Sequence, residues 1–234
     1  MKPLLFINKL YNKLSKTNIK LSFSQSGEDS IILFLIRSLK ITQVQYFDIG
    51  TNDPRNMNNT YILYLNGFRG ICVEPDPFFH KQIKKYRPGD VLIPKGVAVE
   101  QQDKATFYVM DDPLLNTFSP QEAEKLVNTH HREIRKVLSV ELIAINTIFE
   151  QYFKEDHCSV LSLDVEGLDL VILQSIDFSR FKPSIICVEN IEYSENLTGK
   201  KDSFINEVLL EQGYILYADT YINSIFIDSN FLKK

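Results

Sequence analysis

Two short apolar runs, each ending in a carboxylate and separated by about one helix of chain, constrain this sequence more than any other feature. The first is Phe47-Asp48-Ile49-Gly50-Thr51-Asn52 and the second Ile71-Cys72-Val73-Glu74-Pro75. This spacing predicts a strand–helix–strand unit whose strands are buried on both faces, hence parallel neighbours in an α/β sheet. Each acid then stands where its strand leaves the sheet, the place where open parallel sheets bind ligands. Gly50 lets a ligand approach the backbone there. Glu74 offers two acceptor oxygens to the vicinal hydroxyls of a ribose. A nucleoside-containing cofactor suits these positions. A dinucleotide suits them less, because Gly50 stands alone where G-x-G-x-x-G would supply three glycines.

The rest of the chain reads as one domain. Its 234 residues, 44% hydrophobic and 24% charged, are enough to bury a real core. Residues 1–22 read as a basic extension (Lys9, Lys13, Lys16, Lys20) ahead of a domain over 23–234. Its lysines are expected on a solvated helix face or an irregular arm, with contact to a surface or partner as the alternative. A net charge of −4 with scattered basic residues gives no nucleic-acid footprint. The longest unbroken apolar run, Ile31 to Ile36, is too short to span a bilayer. Cys72, Cys158 and Cys187 form no C-x-x-C, which points to a reducing cytoplasm rather than to disulfides or zinc. The oligomeric state is not legible.

Further elements follow from pattern. A buried helix is expected from near Ser26, with Ser26 and Asp29 as a capping box. Core strands are expected at 44–49, 71–73, 91–99, 160–163 and 184–188, the third irregular at Pro94 and Gly96. Ala105 to Met110 reads as a strand at the sheet margin or in a hairpin with the preceding segment. Residues 111–137, a loop and then a charged helix, read as a lid or substrate-side insertion. Val137 to Ile145 is extended, and 214–218 with 224–227 form a closing antiparallel hairpin.

Six segments in order then carry a resemblance: Ser24-Gln25-x-Gly27-Glu28-Asp29, Phe47-Asp48-Ile49-Gly50, Asn59-Thr60-Tyr61, Glu74-Pro75-Asp76-Pro77, Leu115-Asn116-Thr117-Phe118 and Leu163-Asp164-Val165-Glu166-Gly167-Leu168-Asp169. From Ser24 to about Asp228 the chain resembles the FkbM family of S-adenosylmethionine-dependent methyltransferases. The resemblance implies a class I methyltransferase, Rossmann-like sheet of seven strands with helices on both faces and the last strand antiparallel. It implies S-adenosyl-L-methionine as cofactor, and as acceptor a hydroxyl of a sugar, nucleotide-sugar or surface glycan. The cofactor residues it implies are Ser24, Gln25, Asp48, Gly50, Thr51, Asn52, Glu74, Pro75, Asp76, Gly96 and Val97. One departure stands out. Methyltransferase loops of this kind carry two or three glycines, whereas Gly50 is followed by Thr51-Asn52-Asp53-Pro54. Side chains, Ser24 and Gln25 among them, are therefore expected to hold the amino-acid end of the cofactor.

Methyl transfer to a hydroxyl needs positioning and removal of the hydroxyl proton by a base or a metal. Asp164, at a strand exit, is the leading catalytic candidate, as general base or as ligand to a divalent ion shared with Glu189. The metal-free base is the preferred reading, because no third ligand is evident in the sequence. Glu166 and His131 are further catalytic candidates. The plain alternative is that these carboxylates only cap helices and bond amides. His130 and His131 point about 100° apart on a helix and suit a solvated face, while His80 and His157 carry no motif. Two other readings compete: a non-catalytic module that keeps the pocket within a glycan assembly complex, and a nicotinamide-dependent oxidoreductase.

Overall fold

The computed structural model describes residues 2–100, 102–153, 158–194, 196 and 198–232. In chain order the strands are β1 (Gln45–Ile49), β2 (Arg69–Val73), β3 (Val91–Ile93), β4 (Gly96–Ala98), β5 (Lys104–Met110), β6 (Ile134–Ala144), β7 (Cys158–Leu163), β8 (Ile185–Glu189), β9 (Tyr214–Asp219) and β10 (Asn223–Asp228). The helices are α1 (Lys2–Ser15), α2 (Glu28–Ser38), α3 (Tyr61–Leu65), α4 (Pro77–Tyr86), α5 (Pro120–His130), α6 (Ile145–Tyr152), α7 (Asp169–Ser175) and α8 (Ser203–Glu211).

Seven strands form the main sheet in the order β3-β2-β1-β7-β8-β10-β9. The first five are mutually parallel, and β10 runs antiparallel to both β8 and β9. Alternate residues of each central strand face opposite sides, and the core divides accordingly. One side gathers Phe47, Ile49, Leu161, Leu163, Ile186 and Val188 against α6, α7 and α8. The other gathers Tyr46, Val160, Ile185, Cys187, Ile225 and Ile227 against α2 and α3. A second, three-stranded sheet has the order β4-β6-β5. Among the described residues no helix is long and apolar enough to cross a membrane.

Three expectations need correction. The strand expected over 91–99 is two strands in two sheets, because the chain leaves β2 at Pro94-Lys95 and β4 pairs with β6. The strand expected at 105–110 joins neither the main sheet nor the preceding segment. It pairs antiparallel with β6, so the insertion is the connection of a wide hairpin. The Ser26 capping box does not form either. The N-cap of α2 is Gly27, at φ 95°, and Ser24 Oγ accepts from the N–H groups of Gly27 (3.1 Å) and Asp29 (3.3 Å). Glu28 instead reaches back to accept from Ser26 N at 2.8 Å. Within the expected basic arm, Lys2–Ser15 is helical.

Candidate active site

The exits of β1 and β7 touch. Asp164 N donates to the carbonyl of Ile49 at 3.1 Å, and a Cβ on Gly50 would stand 1.8 Å from the Asp164 carbonyl oxygen. Gly50 also sits at φ +77°, in the left-handed region that favours glycine. The position a side chain would take at residue 50 is thus filled by the backbone of Asp164, while Gly50 still lines the cleft. A single glycine suffices where the strand ends meet.

Asp48 is buried beneath that junction. Its Oδ2 accepts from Thr60 Oγ1 (2.6 Å), Arg87 Nη1 (3.0 Å) and Asn58 Nδ2 (3.2 Å). Arg87 is wholly buried, with its Nε 2.7 Å from Asp90 Oδ2 and its Nη2 donating to Thr60 at 2.8 Å. Asp48 lines the cleft, but its charge is matched from within. Sequence reasoning missed Arg87 and Asn58, and gave Thr60 only within a motif, not as a partner of Asp48. The available signal was the strand-end acid itself, since a buried carboxylate requires a partner.

Glu74 closes the exit of β2. Its two oxygens accept at 2.7 Å from the N–H groups of Asn52 and Asp76. Burial pushes its pKa up to about 8, against the pull of those N–H groups. Asp76 caps α4 by accepting from Phe78 N at 2.9 Å and also accepts from Asn116 Nδ2 at 3.1 Å.

The segment between β5 and α5 lies over these exits as a strap. Asn52 Nδ2 donates to the Pro113 carbonyl at 2.8 Å, and Thr117 Oγ1 donates to the Glu166 carbonyl at 2.7 Å. Thr117 and Tyr108 exchange backbone hydrogen bonds of 2.9 and 3.1 Å. Phe118 packs on Gly96, where any Cβ would come within 2.4 Å of its ring. The motif Leu115-Asn116-Thr117-Phe118 therefore fastens the strap to the N-cap of α4, to β4 and to the loop after β7.

Under the strap, Asp164, Glu166 and Glu189 each bring one carboxylate oxygen within 4.8 Å of the others. Glu166 takes a left-handed backbone, φ 49°, before Gly167, which turns its side chain to the same side as that of Asp164. Burial, then the charges of Asp169, Asp48 and Glu28, pushes Asp164 up to about 7. Burial and the neighbouring acids hold Glu166 and Glu189 well above the carboxylate range. Among the described residues none of these three side chains has a hydrogen bond or ion pair. Protonation or a cation relieves such a group, and three hard oxygen donors suit magnesium.

The cleft brings together Gln25, Asp48, Gly50, Thr51, Asn52, Glu74, Pro75, Gly96, Val97, Asp164, Glu166 and Glu189. Three expected residues stand outside its lining. Ser24 bonds Asp29 and the start of α2, Asp76 caps α4, and His131 is exposed at the C-cap of α5. His130, not His131, packs on the cleft residue Tyr193, with ring centroids 5.0 Å apart. His157 lies outside the described residues.

A mostly parallel seven-stranded sheet of this order, with its antiparallel hairpin at the C-terminal end, is the Rossmann-like fold of class I S-adenosylmethionine-dependent methyltransferases. The chain belongs to the FkbM family of these enzymes, since residues 48–216 match the methyltransferase FkbM domain. Among solved structures, a TehB-like SAM-dependent methyltransferase from Corynebacterium glutamicum is 10% identical over 97% of each chain, with a TM-score of 0.40. Precorrin-6y C5,15-methyltransferase from Geobacter metallireducens is 12% identical over 85% of this chain and 87% of its own, with a TM-score of 0.39. The comparison with curated proteins gave no match.

Proposed function

We propose that this methyltransferase transfers the methyl group to a hydroxyl of a carbohydrate, in the cytoplasm, with Asp164 as the base. The observation that carries the reading is the uncompensated group Asp164, Glu166 and Glu189, which shares one cleft with Glu74. The bound cofactor supplies an electrophilic methyl carbon for in-line attack. Glu74 keeps lone pairs beyond those used by Asn52 and Asp76, and these accept the ribose hydroxyls. With a pKa of about 7, Asp164 is part ionised near neutrality and matched to removing a hydroxyl proton. The strap 111–118 screens the site from water and carries the acceptor side. Ser194 Oγ, on the cleft, is buried without a hydrogen-bond partner among the described residues, which suits a polyhydroxyl acceptor. The three buried free cysteines accord with a reducing compartment.

A second reading rests on Glu166. It would be the third ligand, and with Asp164 and Glu189 it would hold a divalent ion that acidifies the hydroxyl. The two readings favour different acceptors. Without a cation the group offers no positive charge to the diphosphate of a nucleotide-sugar, so a glycan or free sugar hydroxyl is preferred. With one, the nucleotide-sugar is preferred.

The test is a screen of sugars, glycan fragments and nucleotide-sugars with labelled cofactor, in excess EDTA and in magnesium. Methylation of a glycan hydroxyl in EDTA, lost in Asp164→Asn, supports the base. Activity only with magnesium, lost alike in Asp164→Asn and Glu189→Gln, supports the ion. Methyl transfer to nitrogen or carbon acceptors alone would overturn both.

A further inference from the structure

The first helix is amphipathic in the reverse sense for an element packed on a domain. Its half-buried positions are Leu5, Asn8 and Asn12, which fall on one face at spacings of three and four. Leu5 packs against the core beside α2. Asn12 fastens the helix to the following chain, its Oδ1 accepting from Ile19 N at 2.9 Å and its Nδ2 donating to Ile19 O at 2.7 Å. The opposite arc carries Phe6, Ile7, Leu10, Tyr11 and Leu14, all exposed, Phe6 by 68% and Leu14 by 74%. On a helix packed against a globular core the apolar stripe turns inward. Here it faces solvent.

Charge accompanies the reversal. The first 22 residues hold five lysines and no carboxylate, in a chain whose net charge is −4. At 100° per residue, Lys9 and Lys13 lie along the margin of the apolar arc, beside Phe6. Both are exposed.

We infer that α1 is an in-plane anchor that seats its apolar arc in an anionic lipid surface, with its lysines at headgroup level. A second copy of the chain fits the face less well, because two such helices would bring lysine margins together. An anionic bilayer supplies the complementary charge. The helix has 14 residues, too few to span a bilayer, so it lies along the surface. The inference does not depend on the acceptor or the base proposed above.

The test mixes the full chain with vesicles of phosphatidylcholine, alone or with phosphatidylglycerol, and measures co-sedimentation. Partitioning should be roughly tenfold or more stronger to the anionic vesicles. It should be lost in Leu10→Asp/Leu14→Asp and weakened in Lys9→Glu/Lys13→Glu, with unchanged melting temperatures because all four side chains are exposed. Equal partitioning to both vesicles, or full binding by the Leu10→Asp/Leu14→Asp protein, would overturn the inference. So would a concentration-dependent dimer in sedimentation velocity that the same substitutions abolish, which assigns the arc to a second copy.

Discussion

Thr117 and Glu166 are 49 residues apart, yet the Thr117 hydroxyl, fully buried, donates to the Glu166 carbonyl at 2.7 Å. The strap and the acid-bearing loop are thus one mechanical piece. Thr117→Val removes the hydroxyl with little change in shape and leaves the Glu166 carbonyl and the buried Ser119 N–H without this partner, at a cost of about 1–3 kcal/mol. The expected result is lower turnover and a higher acceptor KM, with cofactor affinity near wild type by calorimetry. An equal loss of both affinities would make the strap part of the cofactor wall.

Arg87 and Asp48 form a buried pair, and breaking such a pair by removing one partner costs about 3–5 kcal/mol. Arg87→Met should lower unfolding stability by that order in urea titrations, as should Asp48→Asn to a smaller degree, since its amide still accepts. The main effect of either is expected on stability rather than on cofactor affinity measured well below the melting point. A change under about 1 kcal/mol would show that the pair is relieved by water or by local movement.

Above pH 8, where Glu74 is ionised, Glu74→Gln keeps the size of the side chain but removes its charge and half its acceptors. Affinity for S-adenosylhomocysteine should weaken by about 1.5–3 kcal/mol, as for hydrogen bonds to a charged group. Unchanged calorimetric affinity would refute the ribose role.

The raised acids set a pH dependence of stability. Folding lifts Asp164 to about 7 and Glu74 to about 8, so the folded chain keeps protons that the unfolded chain has already released. Their contribution is fully present below the ordinary carboxylate range and is lost as pH rises towards about 8. The ligand-free protein should therefore melt lower at pH 8.5 than at pH 5.5 by a shift on the order of a few degrees. Asp164→Asn should flatten that slope. An identical slope in the variant would mean that the Asp164 carboxylate is already ionised, or held by a cation, across the range.

Much of the sheet was legible because β1, β2, β7 and β8 are dense apolar runs punctuated by acids, and runs of that kind admit little else than buried parallel strands. The placement of Asp48, Gly50 and Glu74 at the ends of β1 and β2 was legible for the same reason. What escaped depends on contacts distant in sequence. Arg87 reads as a routine basic residue at a helix end until Asp48 and Asp90 are placed around it. Ser24 and Asp76 carry polar groups in motif positions, and only the fold shows that helix starts engage them. Glu166 was legible as a candidate beside Asp164, but its grouping with Glu189 comes through a left-handed backbone angle that no periodicity announces.

Only Pro94 and Lys95 separate the last residue of β3 from the first of β4. That step carries the chain from one sheet to the other, and the φ of its proline is fixed. It works as a gauge block between two halves that would otherwise drift. The edge of the main sheet beside Glu74 is set on one side of it, and the sheet that bears the strap on the other. A residue inserted there would leave every hydrogen bond within each sheet intact and still change the span across the cleft, which is the one dimension an in-line displacement cannot relax.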